Sequence, residues 1–274
     1  MDTEKVTISS LRQMKRDGRK IVGVVAWDYQ IARICERAGV EIVSVGDSVG
    51  VNLWGHRDPF AITMEEMLVV GRAVRAAVRR ALVSVDIPFG PAQQGAASAV
   101  SAAIRVAKDV GADLVKIDAA ADFPEVVSAV ARAGIPVWAQ FGITPQTALR
   151  HGVDYGSLFT SSALIPEEMR DALVADAKLL QEAGASLLDF TNSGPVVGPE
   201  VARAVSIPVL GGAGGGPWLD GRVRMAHAAI GYAASGLDDE PDTYANVART
   251  TFDALSSYAA DVRSARQIKG GVRS

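Results

Sequence analysis

Short apolar runs alternate with longer amphipathic segments along the whole chain. Near-continuous valine, isoleucine and leucine within a run is typical of parallel β-strands that are covered on both faces. The runs that fit this description are residues 21–27, 41–47, 81–89, 114–118, 135–142, 186–191 and 207–214. The only candidate for an eighth strand is RVRMA, residues 222–226, whose arginines make it a weak one.

The segments between the runs predict helices. Thr63 followed by Glu66 is a capping box, and Thr144 before Pro145 predicts an N-cap with proline at the first helical position. Further helices are expected at residues 7–17, at the bottom of the fold, and at residues 241–262.

Repeated strand–helix units without a linker predict an α/β fold, a (β/α)8 TIM barrel with an N-terminal helix before strand 1. We expect one barrel domain over residues 1–274, with 241–274 as a C-terminal helix and tail. A doubly wound open sheet is the alternative, because the eighth strand is weak.

Composition narrows the choice of partners. The chain has 274 residues, 49% of them apolar, and a net charge of −3 without a run of basic residues. This argues against nucleic-acid and membrane-surface partners. Cys35 is the only cysteine, so no disulfide framework is expected, and no stretch of 18 apolar residues occurs. We therefore expect a cytoplasmic protein.

Polar residues recur where the predicted strands end. In a TIM barrel, catalytic groups lie at the carboxyl ends of the strands. Several carboxylates that meet there would repel one another, so a cation is expected among them, and hard oxygen ligands without a histidine or cysteine cluster favour Mg²⁺. The candidates are Asp28, Asp47, Ser48, Asp86, Lys116, Asp118, Gln140, Asp189 and Thr191.

Structural explanations remain open for these residues. Asp47 could cap a turn, Asp86 could accept hydrogen bonds from turn amides, and Lys116 and Asp118 could form an ion pair. His56 lies in a loop near the predicted mouth and is a candidate substrate contact.

Other polar residues and glycines have simpler interpretations. His151 and His227 are interpreted as structural or surface residues. The glycine-rich stretch 211–218 lacks the spacing of a dinucleotide or P-loop motif, so we interpret it as a tight turn beside the site.

The chain resembles the ketopantoate hydroxymethyltransferase (3-methyl-2-oxobutanoate hydroxymethyltransferase) family, within the phosphoenolpyruvate mutase and isocitrate lyase superfamily. The resemblance runs from TISSLRQMKRDG to about residue 231. It is carried by AWDY (26–29), VGDSVG (45–50), GH (55–56), DIPFG (86–90), GADLVKID (111–118), FGITPQ (141–146), GAG (212–214) and DG (220–221).

The resemblance implies a magnesium site and a 2-oxo acid site. Asp47 and Asp86 would bind Mg²⁺, with Asp118 in the place of a family glutamate near the metal. Ser48 and Lys116 would hold the carboxylate and the keto group of the 2-oxo acid. In the family, the chelated oxo acid loses its C3 proton and the enolate attacks the one-carbon unit of 5,10-methylenetetrahydrofolate, in pantothenate biosynthesis. A homo-oligomer is also implied.

The sequence departs from the family at the acid–base residues. Gln140 stands where the family has a histidine on strand 5, and Thr191 stands where it has the glutamate proposed as the base. A threonine hydroxyl cannot act alone as a base near neutral pH. Asp189, two residues earlier, could take over that role or could pair with Lys116. The loop after strand 5 also differs, reading VDYGSLFTSS at residues 153–162.

These observations predict a Mg²⁺-dependent enzyme that makes or breaks a C–C bond through a 2-oxo acid enolate. The nearest activity is 3-methyl-2-oxobutanoate hydroxymethyl transfer, with Asp189 and Thr191 as candidate catalytic residues and Gln140 and His56 as candidate substrate contacts. A lyase or hydrolase acting on another 2-oxo acid is the alternative; it would need no such base, and Asp28, His56 or a metal-bound water could then suffice. A non-catalytic paralogue or partner subunit is the alternative of another class.

Overall fold

The strands close into a parallel barrel in a computed structural model that describes residues 4–159, 165–238 and 242–271. Each strand pairs in parallel with the next. The strands are β1 Ile21–Val25, β2 Ile42–Val45, β3 Leu82–Asp86, β4 Leu114–Ile117, β5 Val137–Gly142, β6 Leu187–Thr191, β7 Val209–Gly211 and β8 Gly221–Met225. The predicted TIM barrel is confirmed, including its eighth strand.

Helices follow most of the strands, as the amphipathic segments predict. None of those in the described part of the chain is long and apolar enough to cross a membrane. The α-helices are α1 Ile8–Arg16, α2 Tyr29–Ala38, α3 Val49–Trp54, α4 Met64–Ala77, α5 Ala96–Arg105, α6 Pro124–Arg132, α7 Arg170–Glu182, α8 Gly194–Ala204, α9 Ala226–Ile230 and α10 Val247–Arg263.

The chain divides into two compact units. Met1–Arg224 contains the barrel strands up to the penultimate residue of β8, whereas Met225–Ser274 contains α9 and α10. The predicted start of the last helix, residue 241, lies outside the described residues. The single domain over residues 1–274 stays a prediction.

The first helix packs at the amino-terminal end of the barrel. Thr7 and Ser10 form a capping box at the start of α1. Leu11 and Met14 from this helix join one buried cluster with inward-facing residues of all the strands, among them Ile42 and Trp138. The predicted helix at the bottom of the barrel is confirmed.

The inward face of several strands changes from apolar to polar towards the carboxyl end. Alternate residues of a strand point to the same side, so the inward positions can be followed two residues at a time. The apolar residues belong to the buried cluster at the bottom, and the polar residues that follow them are also largely buried. The pairs are Leu82 and Asp86 on β3, Leu114 and Lys116 on β4, and Leu187 and Asp189 on β6.

One of the two predicted helix starts is wrong. Thr63 and Glu66 do form a capping box at α4, with the Thr63 amide 2.7 Å from a Glu66 carboxylate oxygen. At Thr144, however, the backbone amide donates to the Thr147 hydroxyl at 2.9 Å, so Thr144 lies in a turn. Only a short 3₁₀ helix, Ala148–His151, follows. Short side-chain hydrogen bonds of this kind compete with helix formation.

Leu11→Ala should lower the free energy of unfolding by about 2–5 kcal/mol, because it removes a fully buried side chain and leaves a cavity under the barrel. Leu149→Ala is the matched control. Leu149 is 71% exposed, so we expect a change within about 0.5 kcal/mol. Urea denaturation of both variants measures the difference. Equal effects would contradict the packing of α1 against the core.

Candidate active site

Four carboxylates collect at the carboxyl ends of β2, β3, β4 and β6. Asp86 ends β3, Asp47 and Asp118 follow β2 and β4, and Asp189 lies on β6. All four are at least nine-tenths buried. Because a buried carboxylate without a partner is costly, the cluster depends on the groups that neutralise it.

Lys116 supplies the positive charge inside this cluster. Its Nζ lies 3.0 Å from an Asp189 oxygen and 3.6 Å from an Asp86 oxygen. Burial lowers the pKa of Lys116, but the charges of Asp86, Asp189 and Asp47 outweigh this effect and raise its pKa above the ordinary value. Lys116 is therefore an ammonium. Of the two pairings left open by the sequence, Lys116–Asp189 is present, whereas the ion pairs of Lys116 do not include Asp118.

Asp47 and Asp86 are two buried acids that lie beside each other. The Asp47 amide donates to Asp86 Oδ2 at 3.3 Å, whereas the buried Asp86 Oδ1 has no hydrogen-bond partner. Burial raises the pKa of Asp47, and the charges of Asp86 and Asp118 raise it further. Burial also raises the pKa of Asp86, with Lys116 acting in the opposite direction.

This donor set fits Mg²⁺. An unpartnered carboxylate oxygen beside a second, mutually repelling carboxylate is satisfied by a hard divalent cation. Among the described residues, no group of three or more histidine, cysteine, aspartate and glutamate side chains is arranged to hold a metal ion. Mg²⁺ does not need such a group, because it commonly binds one or two carboxylates and keeps several waters.

Asp118 is held by the backbone of neighbouring loops. Its carboxylate accepts hydrogen bonds from the amides of Ala119 and Gln146, the latter at 3.2 Å. Burial raises the pKa of Asp118 to about 6 despite these bonds. Ala119 has φ 53°, a left-handed conformation that costs energy for a residue with a Cβ. Asp118 thus makes the turn-amide bonds that the sequence left open for Asp86.

Gln140 and Thr191 form a neutral pair on β5 and β6, next to the ion pair between Lys116 and Asp189. Gln140 Nε2 donates to Thr191 Oγ1 at 2.9 Å, and both side chains are buried. In the register of β5 and β6, Gln140 lies opposite Asp189 and Gly142 opposite Thr191. The two acid–base positions at which the resemblance implies a departure from the family are therefore in direct contact.

Ser48 lies beside the acids, and its hydroxyl makes no capping bond to α3. A Cβ built on Gly46 would be 3.2 Å from Ser48 Oγ and 3.7 Å from Asp86 Oδ2, so Ser48 and Asp86 both lie close to this glycine. His56 has a different surrounding. Its Nε2 is 3.5 Å from a Glu66 oxygen, and its ring stacks on Trp54.

Two further features predicted near the mouth are Asp28 and the glycine-rich turn. Asp28 caps α2 by accepting a hydrogen bond from the Ile31 amide, which gives it a structural role. The predicted tight glycine turn is confirmed, because a Cβ on Gly215 would be 2.8 Å from the Gly211 carbonyl oxygen. This turn is beside the site, as the Gly212 amide donates to Asp189 Oδ1 at 3.3 Å.

Two residues near the site carried no separate signal in the sequence. Tyr155 lies in the loop after β5 that departs from the family, and burial, followed by the charges of Asp47 and Asp58, raises its pKa. Asn192 follows Thr191 with φ 59° and donates from Nδ2 to the Ile143 carbonyl oxygen at 3.0 Å. Only the three-dimensional packing reveals either position.

Comparison with known proteins decides the family. A model of ketopantoate hydroxymethyltransferase matches residues 5–267. This chain belongs to the ketopantoate hydroxymethyltransferase family. It is 36% identical over 262 residues to 3-methyl-2-oxobutanoate hydroxymethyltransferase of Salinibacter ruber, covering 94% of this chain and 95% of that one. The enzyme of Cytophaga hutchinsonii is also 36% identical, covering 96% and 94%.

Solved structures of low sequence identity share the fold. Phosphonopyruvate hydrolase in complex with oxalate and Mg²⁺ superposes with a TM-score of 0.61 at 15% identity, over 98% of this chain and 92% of that one. 2,3-Dimethylmalate lyase, a PEP mutase/isocitrate lyase superfamily member, also gives 0.61 at 15% identity, over 95% and 99%.

Family membership confirms two expectations. The resemblance is correct, and the chain is an enzyme of the hydroxymethyltransferase class, which forms C–C bonds. The individual site residues stay predictions at this point.

In the presence of EDTA, Asp118→Asn should change how stability depends on pH. The pKa of Asp118 is raised from 3.8 to about 6, so the folded wild type binds this proton more tightly than the unfolded chain. Its contribution to the free energy of unfolding therefore falls as the pH rises from about 4 to about 6. The variant lacks this loss and should gain up to about 3 kcal/mol relative to wild type across the window.

Urea denaturation at several pH values measures this gain. Asp171→Asn is the control, since the Asp171 side chain is 88% exposed. A constant difference between Asp118→Asn and wild type over the same window would contradict the prediction.

Proposed function

We propose that this enzyme is Mg²⁺-dependent and makes or breaks a C–C bond beside the keto group of a 2-oxo acid, by way of the enolate. The nearest activity is 3-methyl-2-oxobutanoate hydroxymethyl transfer. The observation that carries the proposal is the buried set of Asp47, Asp86 and Lys116 at the barrel mouth. The names of the relatives support the transferase chemistry.

In this proposal the acids hold the metal and Lys116 holds the substrate. Asp47 and Asp86 would bind Mg²⁺, and Asp118 would complete the acidic set, which agrees with its effect on the pKa of Asp47. When bound, Mg²⁺ supplies a Lewis acid that stabilises negative charge on the keto oxygen. The Lys116 ammonium and the Ser48 hydroxyl would bind the carboxylate and keto oxygens of the oxo acid and fix its orientation.

Gln140 and His56 are assigned to substrate binding at different distances from the acids. Gln140 lies on β5 beside Asp189 and would contact the carbon chain of the substrate. His56, held against Trp54 and Glu66, would contact the substrate from the loop between α3 and α4. Desolvation of the substrate between these groups would strengthen each electrostatic contact.

The transfer reaction requires a base that removes the C3 proton, and the two candidates are Thr191 and Asp189. Thr191 is tied to Gln140, and Asp189 is tied to Lys116 and the Gly212 amide. Asp189 would therefore have to leave Lys116 before it could accept a proton. Lys116 can release Asp189 if the substrate carboxylate replaces it as a partner, which makes Asp189 the first candidate for the base.

A second candidate function is C–C cleavage of another 2-oxo acid by a lyase or hydrolase. The hydrogen bond of Thr191 to Gln140 and the ion pair of Asp189 with Lys116 favour this reaction, because cleavage produces the enolate without removal of a C3 proton. One of the solved structures that share this fold is a lyase, 2,3-dimethylmalate lyase. A non-catalytic paralogue is disfavoured, since a buried cluster of acids destabilises a fold that gains nothing from it.

Further elements of the proposal concern partners and location. The substrate is a small 2-oxo acid, with 5,10-methylenetetrahydrofolate as one-carbon donor for the transfer reaction only. The net charge of −3 supports the absence of a nucleic-acid or membrane partner. We also propose a cytoplasmic homo-oligomer. Exposed apolar residues on α10 support an assembly that covers them: Phe252, Leu255, Tyr258 and Val262.

Asp47→Asn and Asp86→Asn should each weaken Mg²⁺ binding by more than about 100-fold, because each removes one of the two charged ligands. Isothermal titration calorimetry with MgCl₂ measures the affinity directly. Asp171→Asn is the control and should bind like wild type. Retention of wild-type affinity in both site variants would contradict the metal assignment.

The transfer reaction is tested by proton NMR of 3-methyl-2-oxobutanoate in D₂O with enzyme and Mg²⁺. If a base operates, the C3 proton signal should decay in the presence of enzyme, and Asp189→Asn should abolish the decay. Absence of exchange by the Mg²⁺-loaded wild type would favour the cleavage reaction instead.

A further inference from the structure

We propose that the Gln140–Thr191 pair binds a hydroxyl group of the hydroxylated 2-oxo acid, which is the substrate of cleavage or the product of transfer, so that the site binds this acid more tightly than an alkyl 2-oxo acid of the same size. The inference rests on the proposed function, since it assumes that a 2-oxo acid occupies the barrel mouth. It adds the class of substrate and two specificity-determining residues.

The pair has unused hydrogen-bonding capacity that points to a ligand. Thr191 Oγ1 already accepts a proton from Gln140 Nε2, so the Thr191 hydroxyl proton is available to a further acceptor. Gln140 Oε1 in turn can accept from a further donor. Within the described residues neither group has a second hydrogen-bond partner. Their exposed fractions are only 6% and 3%, so a ligand that covers the pair would complete its burial.

The pair also lies at a suitable distance from the groups assigned to the oxo acid. Thr191 is two residues beyond Asp189 on the same face of β6, which is about 6–7 Å along the strand. Asp189 contacts Lys116, and Lys116 contacts Asp86. A small oxo acid with its carboxylate or keto oxygen at Lys116 would therefore extend its far carbon atoms towards Gln140 and Thr191.

The chemistry of the pair selects a hydroxyl. One proton donor beside one acceptor is complementary to a group that both accepts and donates, as an alcohol does. A second carboxylate offers only acceptors to Gln140 Oε1, and an alkyl group offers neither function. An alkyl ligand would leave the Thr191 hydroxyl proton and Gln140 Oε1 without partners, and sites built for a hydroxyl discriminate strongly against analogues that lack one.

This selectivity does not depend on the direction of the reaction. The hydroxylated 2-oxo acid is the substrate if the enzyme cleaves and the product if it transfers. Its hydroxyl meets the same pair in either case. The inference can therefore be tested by binding alone, without turnover.

The experiment compares two ligands of the same size, 4-hydroxy-2-oxobutanoate and 2-oxopentanoate, which differ by a hydroxyl in place of a methyl group. Isothermal titration calorimetry with saturating Mg²⁺ gives the dissociation constant of each. Wild type should bind the hydroxylated ligand at least about tenfold more tightly. Thr191→Val, which keeps the shape and removes the hydroxyl, should lose this preference, whereas Thr191→Ser should retain it.

Oxalate separates failure of the inference from failure of the proposed function. Oxalate can chelate a metal with two carboxylate oxygens but carries no chain that reaches Gln140 and Thr191. If oxalate binds with Mg²⁺ and the two oxo acids bind equally, only the inference is overturned. A preference that survives in Thr191→Val also overturns it. If oxalate does not bind, the proposed function fails and the inference fails with it.

A second variant protects the test against misfolding. Circular dichroism and thermal melting establish whether Thr191→Val is folded. If it is not, Gln140→Met removes the acceptor from the other side of the pair and should likewise abolish the preference. An unchanged preference in folded Gln140→Met overturns the inference.

Discussion

The upper interior of the barrel depends on one buried ammonium group. Lys116 joins the acid on β3 to the acid on β6, and without it both carboxylates would be desolvated with little compensation. Lys116 lies two residues after Leu114 of the buried apolar cluster on β4, and its Nζ lies 5.6 Å from the centre of the Trp138 ring. Lys116 therefore contacts both the apolar lower core, through Trp138, and the charged mouth, through Asp86 and Asp189.

The two halves of the mouth differ in character. On the side of β2 and β3, Asp47 and Asp86 concentrate negative charge and leave one oxygen without a donor. On the side of β5 and β6, Gln140 and Thr191 form a neutral hydrogen-bonded pair. Charge on the first side suits a cation and the oxygens of a chelating anion. The second side is suited to recognition by hydrogen bonds, and it is there that this chain departs from its relatives.

Most of the barrel could be predicted from the sequence, because strand periodicity and strand-end chemistry are local. Even β8 follows the rule: Arg222 and Arg224 alternate with the buried Gly221 and Val223, so its charges do not prevent strand formation. The helix start at Thr144 was wrong because a bond to Thr147, three residues away, competes with the helix.

The partners of the site residues could be anticipated only in part. The sequence could place Asp189 near Lys116, since both were expected at strand ends. It could not choose between Asp118 and Asp189 as the partner, because that choice depends on how far each strand is shifted around the barrel. The position of Tyr155 near Asp47 likewise follows from the path of a long loop, which no local pattern encodes.

The left-handed residues at the mouth have a consequence for how this enzyme can change. Ala119 and Asn192 directly follow Asp118 and Thr191, and both hold conformations that glycine would adopt without cost. Glycine at position 119 would remove the strain but would also free the backbone that aims Asp118. Glycine at position 192 would in addition remove the hydrogen bond from Asn192 to the Ile143 carbonyl oxygen. Relief of strain and precise positioning are therefore in conflict at Ala119, so screens that select for heat resistance alone would favour a change that loosens Asp118.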